Sequence, residues 1–262
     1  MIERFPVAIV GAGALGTLFA ERLAKVVPTA LVGRKTKTIP EADWVIVLVK
    51  AYDTDAAVRT ARAMKPKGIV SLQNGLIGQV PQGVTTAAAY REGKRVVPVA
   101  TGITLLPPGF DALARHLRTA GFDVKLTRNI EAARRRKLLA NVCINPLTAV
   151  LGIRNGEVRN APHRYLVEAL AREAAPVLGM RPPQAIRRVL DVAKVTAGNR
   201  SSMLQDLHAG RRTENDYLTG ALLRLARKKR VATPTHDAFF HLIRVMERAL
   251  ECAGQPSSRS SR

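Results

Sequence analysis

The apolar positions of this chain change period near Arg128. Before it they fall in short runs separated by turn residues; after it they recur at the three- and four-residue steps of helices. Phe5–Val10 is an apolar run that ends at Gly11, Leu15–Val26 follows with helical spacing, and Thr29–Val32 reads as a second strand. Strand, glycine turn, helix and strand in about 30 residues is the length of one βαβ unit. Further strands are expected at Trp44–Val49, Gly68–Leu72, Thr85–Ala89 and Arg95–Leu106, then a helix around Ala112–Ala120 and a strand at Phe122–Leu126. Alternating strands and helices imply a mostly parallel sheet covered on both faces. The second half predicts helices at Ile130–Val150, Arg164–Leu178, Pro183–Thr196, Ser201–Ala209, Thr213–Lys229 and Thr235–Ala253, punctuated by Gly198, Gly210 and Pro234. In the last of these, Phe239, Ile243, Met246 and Leu250 share one face. The expected plan is an α/β domain over 1–128, an all-helical domain over 129–253 with a cleft between them, and a disordered tail at 254–262 that lacks core-forming residues.

Composition narrows the class. No stretch approaches the roughly 18 apolar residues of a membrane span, so no membrane partner is expected. The opening MIERFPVAIV reads as a first strand rather than a signal peptide. Cys143 and Cys252 lie in apolar, helix-like stretches without CxxC spacing and read as reduced core thiols of a cytoplasmic protein. The five histidines show no paired-ligand spacing, so no metal is expected. The net charge of +22 is spread along the chain and is heavier in its second half. It fits a solvated, arginine-loaded surface that steers anionic ligands. A nucleic-acid partner, the other reading of such a charge, is disfavoured because no recognition module accompanies the short runs Arg134–Lys137 and Arg227–Arg230.

The glycine turn adds chemistry. Gly11, Ala12, Gly13, Ala14, Leu15 and Gly16 spell G-x-G-x-x-G directly after a strand and at the opening of a helix. The first glycine allows the tight turn, the second lets backbone approach a pyrophosphate, and the third lets helix and strand pack closely. Free N–H groups at the helix start then face the anion. In this context the first domain is Rossmann-like and binds a dinucleotide. At the end of the second strand, where NAD-binding units place an acid, the chain reads GRKTKT, with Arg34 and Lys35 and no acid until Glu41. A guanidinium holds a 2′-phosphate that a carboxylate would repel, so NADPH/NADP⁺ is the expected cofactor.

The segments VIVLVKAYDT (Val45–Thr54), SLQNGL (Ser71–Leu76), VATGIT (Val99–Thr104), KLLANVCINPLTAV (Lys137–Val150), RNGEV (Arg154–Val158) and SSMLQDLHAGRRTENDYLTG (Ser201–Gly220) follow in order. With GAGALG they closely resemble the signature segments of ketopantoate reductases, over both halves of the chain. The resemblance implies NADPH-dependent reduction of 2-dehydropantoate to (R)-pantoate, on the route to pantothenate and coenzyme A. It implies Lys137 as proton donor and Glu214 as the acid between nicotinamide and substrate. It implies Lys50, Asn74 and Ala100, with Glu214, as cofactor contacts, and Asn74, Asn141, Asn145, Asn155, Ser201 and Ser202 as substrate contacts beside Lys137.

Spacing agrees on one helix. Lys137, Asn141 and Asn145 stand at i, i+4 and i+8, on one face. An ammonium and two carboxamides there can hold a keto acid, and a charged donor beside its carbonyl stabilises the negative charge that hydride transfer creates. Pro146 removes the bond to the Val142 carbonyl, so a kink beside the site is expected. Plainer roles stay open: Lys137 as the end of a solvated basic run, Glu214 as a helix-start acid, Ser201 and Ser202 as helix caps, and Asn74 as a turn residue. The chain also departs from the resemblance. The links between Arg34 and Asp43 and across Gly83–Pro98 are short, which would open the adenosine edge. Nothing spells out a pocket for gem-dimethyl groups, so a reductase of another small branched 2-keto acid is the alternative. A non-enzymatic NADP-binding sensor is a further class, against which Lys137 and Glu214 speak. Oligomeric state is not readable from the sequence; a homodimer is a weak expectation.

Overall fold

β1 (Arg4–Val10) alternates its side chains between two cores, which is why its sequence is apolar from Phe5 onward. Val7 and Ile9 join Phe19, Leu23, Ile46, Val70, Leu113 and Leu117 on one face of the sheet. Ala8 and Val10 join Val32, Val45, Val47, Ala57, Ala61 and Met64 on the other. The computed structural model describes residues 3–75 and 78–253, so the tail expected to be disordered lies outside the described residues. The chain divides into two units, Met1–Arg134 and Arg135–Arg262.

In the first unit, β1 is followed by α1 (Ala14–Leu23), β2 (Thr29–Val32), β3 (Glu41–Val47), α2 (Thr54–Ala63) and β4 (Gly68–Ser71). The four strands form a parallel sheet in the order β2-β1-β3-β4, with Val10 opposite both Val32 and Val47. β1 is therefore the strand at which the order reverses, where open α/β sheets bind ligands beyond the carboxyl ends of their strands. Then come β5 (Val84–Thr85), β6 (Ala88–Glu92), β7 (Arg95–Ala100), β8 (Ile103–Leu106), α3 (Asp111–Thr119) and β9 (Asp123–Leu126). The fold class is the expected α/β one, but details change: the strand expected over Thr85–Ala89 is broken between β5 and β6, and α2 is unanticipated. The long strand expected over Arg95–Leu106 is two strands, because Gly102 takes φ +54 and the backbone of Thr86 and Ala87 leaves no room for a side chain there. Beyond β4 the sheet is not continuous and parallel: β6 and β7 form an antiparallel hairpin, while β8 pairs antiparallel with β5 and parallel with β9.

The second unit is helical: most of α4 (Ile130–Leu151), then α5 (His163–Val177), α6 (Pro182–Val195), α7 (Ser202–His208), α8 (Thr219–Lys229) and α9 (Pro234–Ala253). Leu139, Val142, Leu147, Leu170, Ala174, Val189, Leu222 and Ile243 are buried at its centre. Two prolines open α6, where a missing N–H costs nothing. The Glu173 carboxylate accepts from the Thr235 and His236 N–H groups at 2.9 and 3.1 Å and so caps α9. The helix expected over Thr213–Lys229 is interrupted: a 3-10 turn, Asn215–Tyr217, precedes α8, and Leu218 between them has non-helical backbone angles. α9 buries Phe239 and Ile243, but Leu250 on the same stripe is exposed. Cys143 is a buried free thiol as expected, whereas Cys252 is exposed near the end of α9 and is not a core residue. No helix among the described residues is long and apolar enough to cross a membrane, and no cluster of potential metal ligands occurs among them.

Candidate functional site

Four loops of the first unit leave the carboxyl ends of its four parallel strands, and they carry most of the residues singled out for a cofactor. The glycine turn follows β1, Arg34 and Lys35 follow β2, Lys50 follows β3, and Asn74 follows β4. The three glycines have separate physical reasons. Gly11 takes φ +128, and a Cβ there would stand 2.5 Å from the Leu48 carbonyl oxygen. A Cβ on Gly16 would lie 1.8 Å from the Gly11 oxygen, so only glycine lets α1 pack this closely on the turn. Gly13, by contrast, has nothing within 4 Å of where a Cβ would be. That space lies at the start of α1, beside the N–H groups of its first turn, and suits a pyrophosphate held against bare backbone. The turn thus fits a dinucleotide.

Two residues not anticipated from the sequence shape these loops. Arg91, on β6, donates from Nη2 to the Ala12 carbonyl at 2.8 Å and to Thr17 Oγ1 at 2.9 Å, which clamps the hairpin to the glycine turn. Gln73, buried, donates from Nε2 to the Val49 oxygen and to Thr54 Oγ1 at 3.0 Å each, and accepts from Ser71 Oγ at 2.8 Å. It ties the Asn74 turn to the chain around Lys50. Lys50 and Asn74 are half-buried, whereas Arg34, Lys35 and Ala100 are exposed. Arg34 is ion-paired to Asp53 at 2.7 Å, and this carboxylate holds its guanidinium above the ordinary arginine value.

In the second unit, α4 carries Lys137, Asn141 and Asn145 along one face and runs unbroken through Pro146 to Leu151. Lys137 is half-buried and Asn145 is buried. Among the described residues neither the Asn141 nor the Asn145 carboxamide has a side-chain hydrogen-bond partner, so their capacity is left for a ligand. Burial pushes the Lys137 ammonium down to about 8 from its ordinary 10.5, and the nearby Glu214 carboxylate opposes the fall. Glu214 is itself buried and makes no side-chain cap bond to the turn it precedes. Its segment is pinned from α9: Glu247 accepts from the Thr213 N–H at 2.7 Å, and Asn215 Nδ2 donates to the Phe240 oxygen at 2.9 Å.

The remaining residues divide between roles. Ser201 is buried, accepts from the Leu204 N–H at 3.2 Å as the cap of α7, and lies 2.8 Å from Thr148 Oγ1 on α4. Its hydroxyl is therefore occupied within the fold, while Ser202 is exposed. Asn155 donates from Nδ2 to Thr196 Oγ1 at 3.0 Å, but its Oδ1 is buried with no partner, an acceptor left open.

Residues 129–247 match the family described as "Ketopantoate reductase PanE/ApbA C terminal", and residues 26–106 match "Ketopantoate reductase PanE/ApbA". A 2-dehydropantoate 2-reductase of Yersinia pestis is 36% identical over 85% of this chain and 80% of its own. That of Pyrobaculum aerophilum is 33% identical over 91% of this chain and 97% of its own. Among solved structures, D-mandelate dehydrogenase with NADH and anilino(oxo)acetate superposes with a TM-score of 0.82 at 25% identity, covering 94% of this chain and 99% of that one. A ketopantoate reductase from Ralstonia eutropha JMP134 superposes at 0.80 with 26% identity and the same coverage. A dimeric ketopantoate reductase from Staphylococcus aureus, 23% identical over 93% of this chain and 99% of its own, shares the fold at 0.80.

Proposed function

The chain belongs to the ketopantoate reductase family, and on that premise we propose that it reduces 2-dehydropantoate to (R)-pantoate with NADPH. The observation that carries this reading is the face of α4, where an ammonium lowered by burial stands in the field of a buried carboxylate and in line with two unpartnered carboxamides. When bound, NADPH supplies the hydride that converts the C2 carbonyl to a hydroxyl. The chain's residues do the rest. Asn141 and Asn145 orient the keto acid by donating to its oxygens. Lys137 donates a hydrogen bond to the C2 oxygen, stabilises the charge developing there, and passes its proton to that oxygen. Glu214 keeps the Lys137 proton in place before transfer, and Ser202 and Asn155 Oδ1 complete the polar lining. On the cofactor side the glycine turn takes the pyrophosphate, Arg34 and Lys35 face the 2′-phosphate, and Lys50, Asn74 and Ala100 line the remainder.

In this reading the enzyme works in the cytoplasm on a small molecule, uses neither metal nor nucleic acid, and assembles as a homodimer like its Staphylococcus aureus neighbour. A second substrate reading has its own support: the structural neighbour that holds an oxoacetate ligand is a mandelate dehydrogenase, so the same outline accommodates other 2-keto acids. A panel of 2-keto acids, followed by loss of NADPH absorbance, decides between them. 2-Dehydropantoate should give the highest kcat/KM. A different branched 2-keto acid turned over tenfold better would transfer the assignment to that acid, and no turnover with any of them would reject the reductase reading.

A further inference from the structure

We propose that Asp53 is a specificity-determining residue that keeps the preference for NADPH over NADH narrow. This inference rests on the reading of Arg34 as the contact for the 2′-phosphate. Asp53 immediately precedes α2, a position where a carboxylate normally accepts from the first-turn N–H groups, yet it makes no cap bond. Its Oδ2 instead accepts from Arg34 Nη2 at 2.7 Å, across 19 residues of sequence. The two residues come from loops that leave the carboxyl ends of β2 and β3, the strands on either side of β1.

The other acids of this region are engaged elsewhere. Glu41 and Asp43 lie at the opposite, amino end of β3 and pair with Arg4, Lys65 and Lys67. Asp55 accepts from Gln79. Asp53 is thus the carboxylate joined to the cation that selects the cofactor, although the sequence shows no acid at the usual place after β2.

A carboxylate on that guanidinium has two effects. It stands within a few ångströms of any phosphate bound to the same cation and repels it. Like charges at such distance repel even in water, and a phosphate monoester carries close to two charges. The same carboxylate can accept from a ribose 2′-hydroxyl, which is how NAD-binding units use an acid. Asp53 therefore lowers affinity for NADPH and raises it for NADH.

The test is direct binding of NADPH and NADH, by fluorescence quenching or calorimetry, to the wild type, Asp53→Asn, Asp53→Ser and Arg34→Ala. Asp53→Asn should raise the NADPH-to-NADH affinity ratio about tenfold, and Asp53→Ser should move it the same way. Because the side chain is partly exposed and caps nothing, both variants should fold with little change in Tm. An unchanged or lowered ratio in both would overturn the inference, a lowered one showing that Asp53 orients Arg34 for the phosphate. Arg34→Ala separates the two levels. If it leaves the ratio unchanged, the assignment of Arg34 fails, while a rise with Asp53→Asn would still support repulsion by the carboxylate.

Discussion

In the proposed reaction Lys137 is the proton donor, and its environment makes that proposal measurable. A general acid contributes about 10²- to 10⁴-fold, so Lys137→Ala should lower kcat by that order while NADPH binding, read by quenching, is retained. The donor must start protonated, and burial holds its pKa at about 8. Reduction should therefore fall as pH rises through about 8, and Lys137→Ala should flatten that limb. A variant with wild-type kcat and the same limb would remove Lys137 as the acid. The stability linkage has a definite sign too. Between about 8 and the unfolded value of 10.5 the unfolded chain holds a proton that the folded one lacks, so this group's contribution to stability grows as pH rises. At neutral pH the fold carries the cost of a half-buried ammonium. Lys137→Met should raise Tm at pH 7 while lowering kcat by the same order as Lys137→Ala, and a fall in Tm would contradict that cost.

At the scale of elements, the glycine turn and α4 were readable because their signals are local. G-x-G-x-x-G sits on one turn, and Lys137, Asn141 and Asn145 share one helix face by spacing alone. α2 escaped because its buried face is mostly small, with Thr54, Ala57, Val58 and Ala61, and leaves little apolar periodicity. Arg91, Gln73 and Asp53 escaped because each acts on a partner that only the fold brings near: Arg91 lies 79 residues from Ala12. The glycine turn separates folding from binding. Gly16→Ala should destabilise by about 3 kcal/mol or more, since its Cβ collides with backbone that cannot move aside. Gly13→Ala, entering open space, should leave Tm nearly unchanged yet weaken NADPH roughly tenfold or more by standing where the pyrophosphate approaches. Equal effects of the two substitutions on Tm would refute that division. The junction of α5 and α9 has a pH signature of its own. His236 is fully buried, its Nε2 lies 3.0 Å from the Leu170 oxygen, and burial holds its pKa down at about 4. As pH falls from 6.5 towards 4 the unfolded chain takes up a proton that the folded one refuses, so stability is lost across that window. Urea unfolding should show about 2 kcal/mol lost to this residue between pH 7.5 and pH 5. His236→Leu should be less stable at pH 7.5 but lose less on acidification, and an acid loss of the same size in that variant would exclude His236 as its source.

For the molecule as a whole, the net charge of +22 is the property that no single contact explains. The two basic runs are exposed in part and engaged in part: Arg135 and Arg227–Arg230 are exposed. In the first, Arg134 is largely covered and bonded to Glu131, and Lys137 is half-buried in the candidate site. The second closes the last turn of α8, where cations offset the negative end of the helix dipole, and Lys229 donates to the Val177 oxygen at 2.7 Å. Some of the acids are committed to local pairs such as Arg164–Glu168–Arg172, Arg211–Asp206 and Arg212–Asp216. With 42 basic against 20 acidic residues, and the excess spread along the sequence, the surplus gives the molecule a positive field. Such a field steers small anions, and both NADPH and a 2-keto acid are anionic at neutral pH. It acts on encounter more than on chemistry, and salt removes it as the screening length shrinks from about 10 Å at 0.1 M to about 3 Å at 1 M. Raising NaCl from 0.05 to 0.5 M should therefore lower kcat/KM for NADPH about 3- to 10-fold while kcat changes less than about twofold. DNA measured beside it should show no saturable shift at 0.15 M salt, because sequence-independent phosphate contacts weaken steeply with ionic strength. A salt-insensitive kcat/KM together with a saturable DNA complex at 0.15 M would reverse this account and make nucleic acid the partner of the charge.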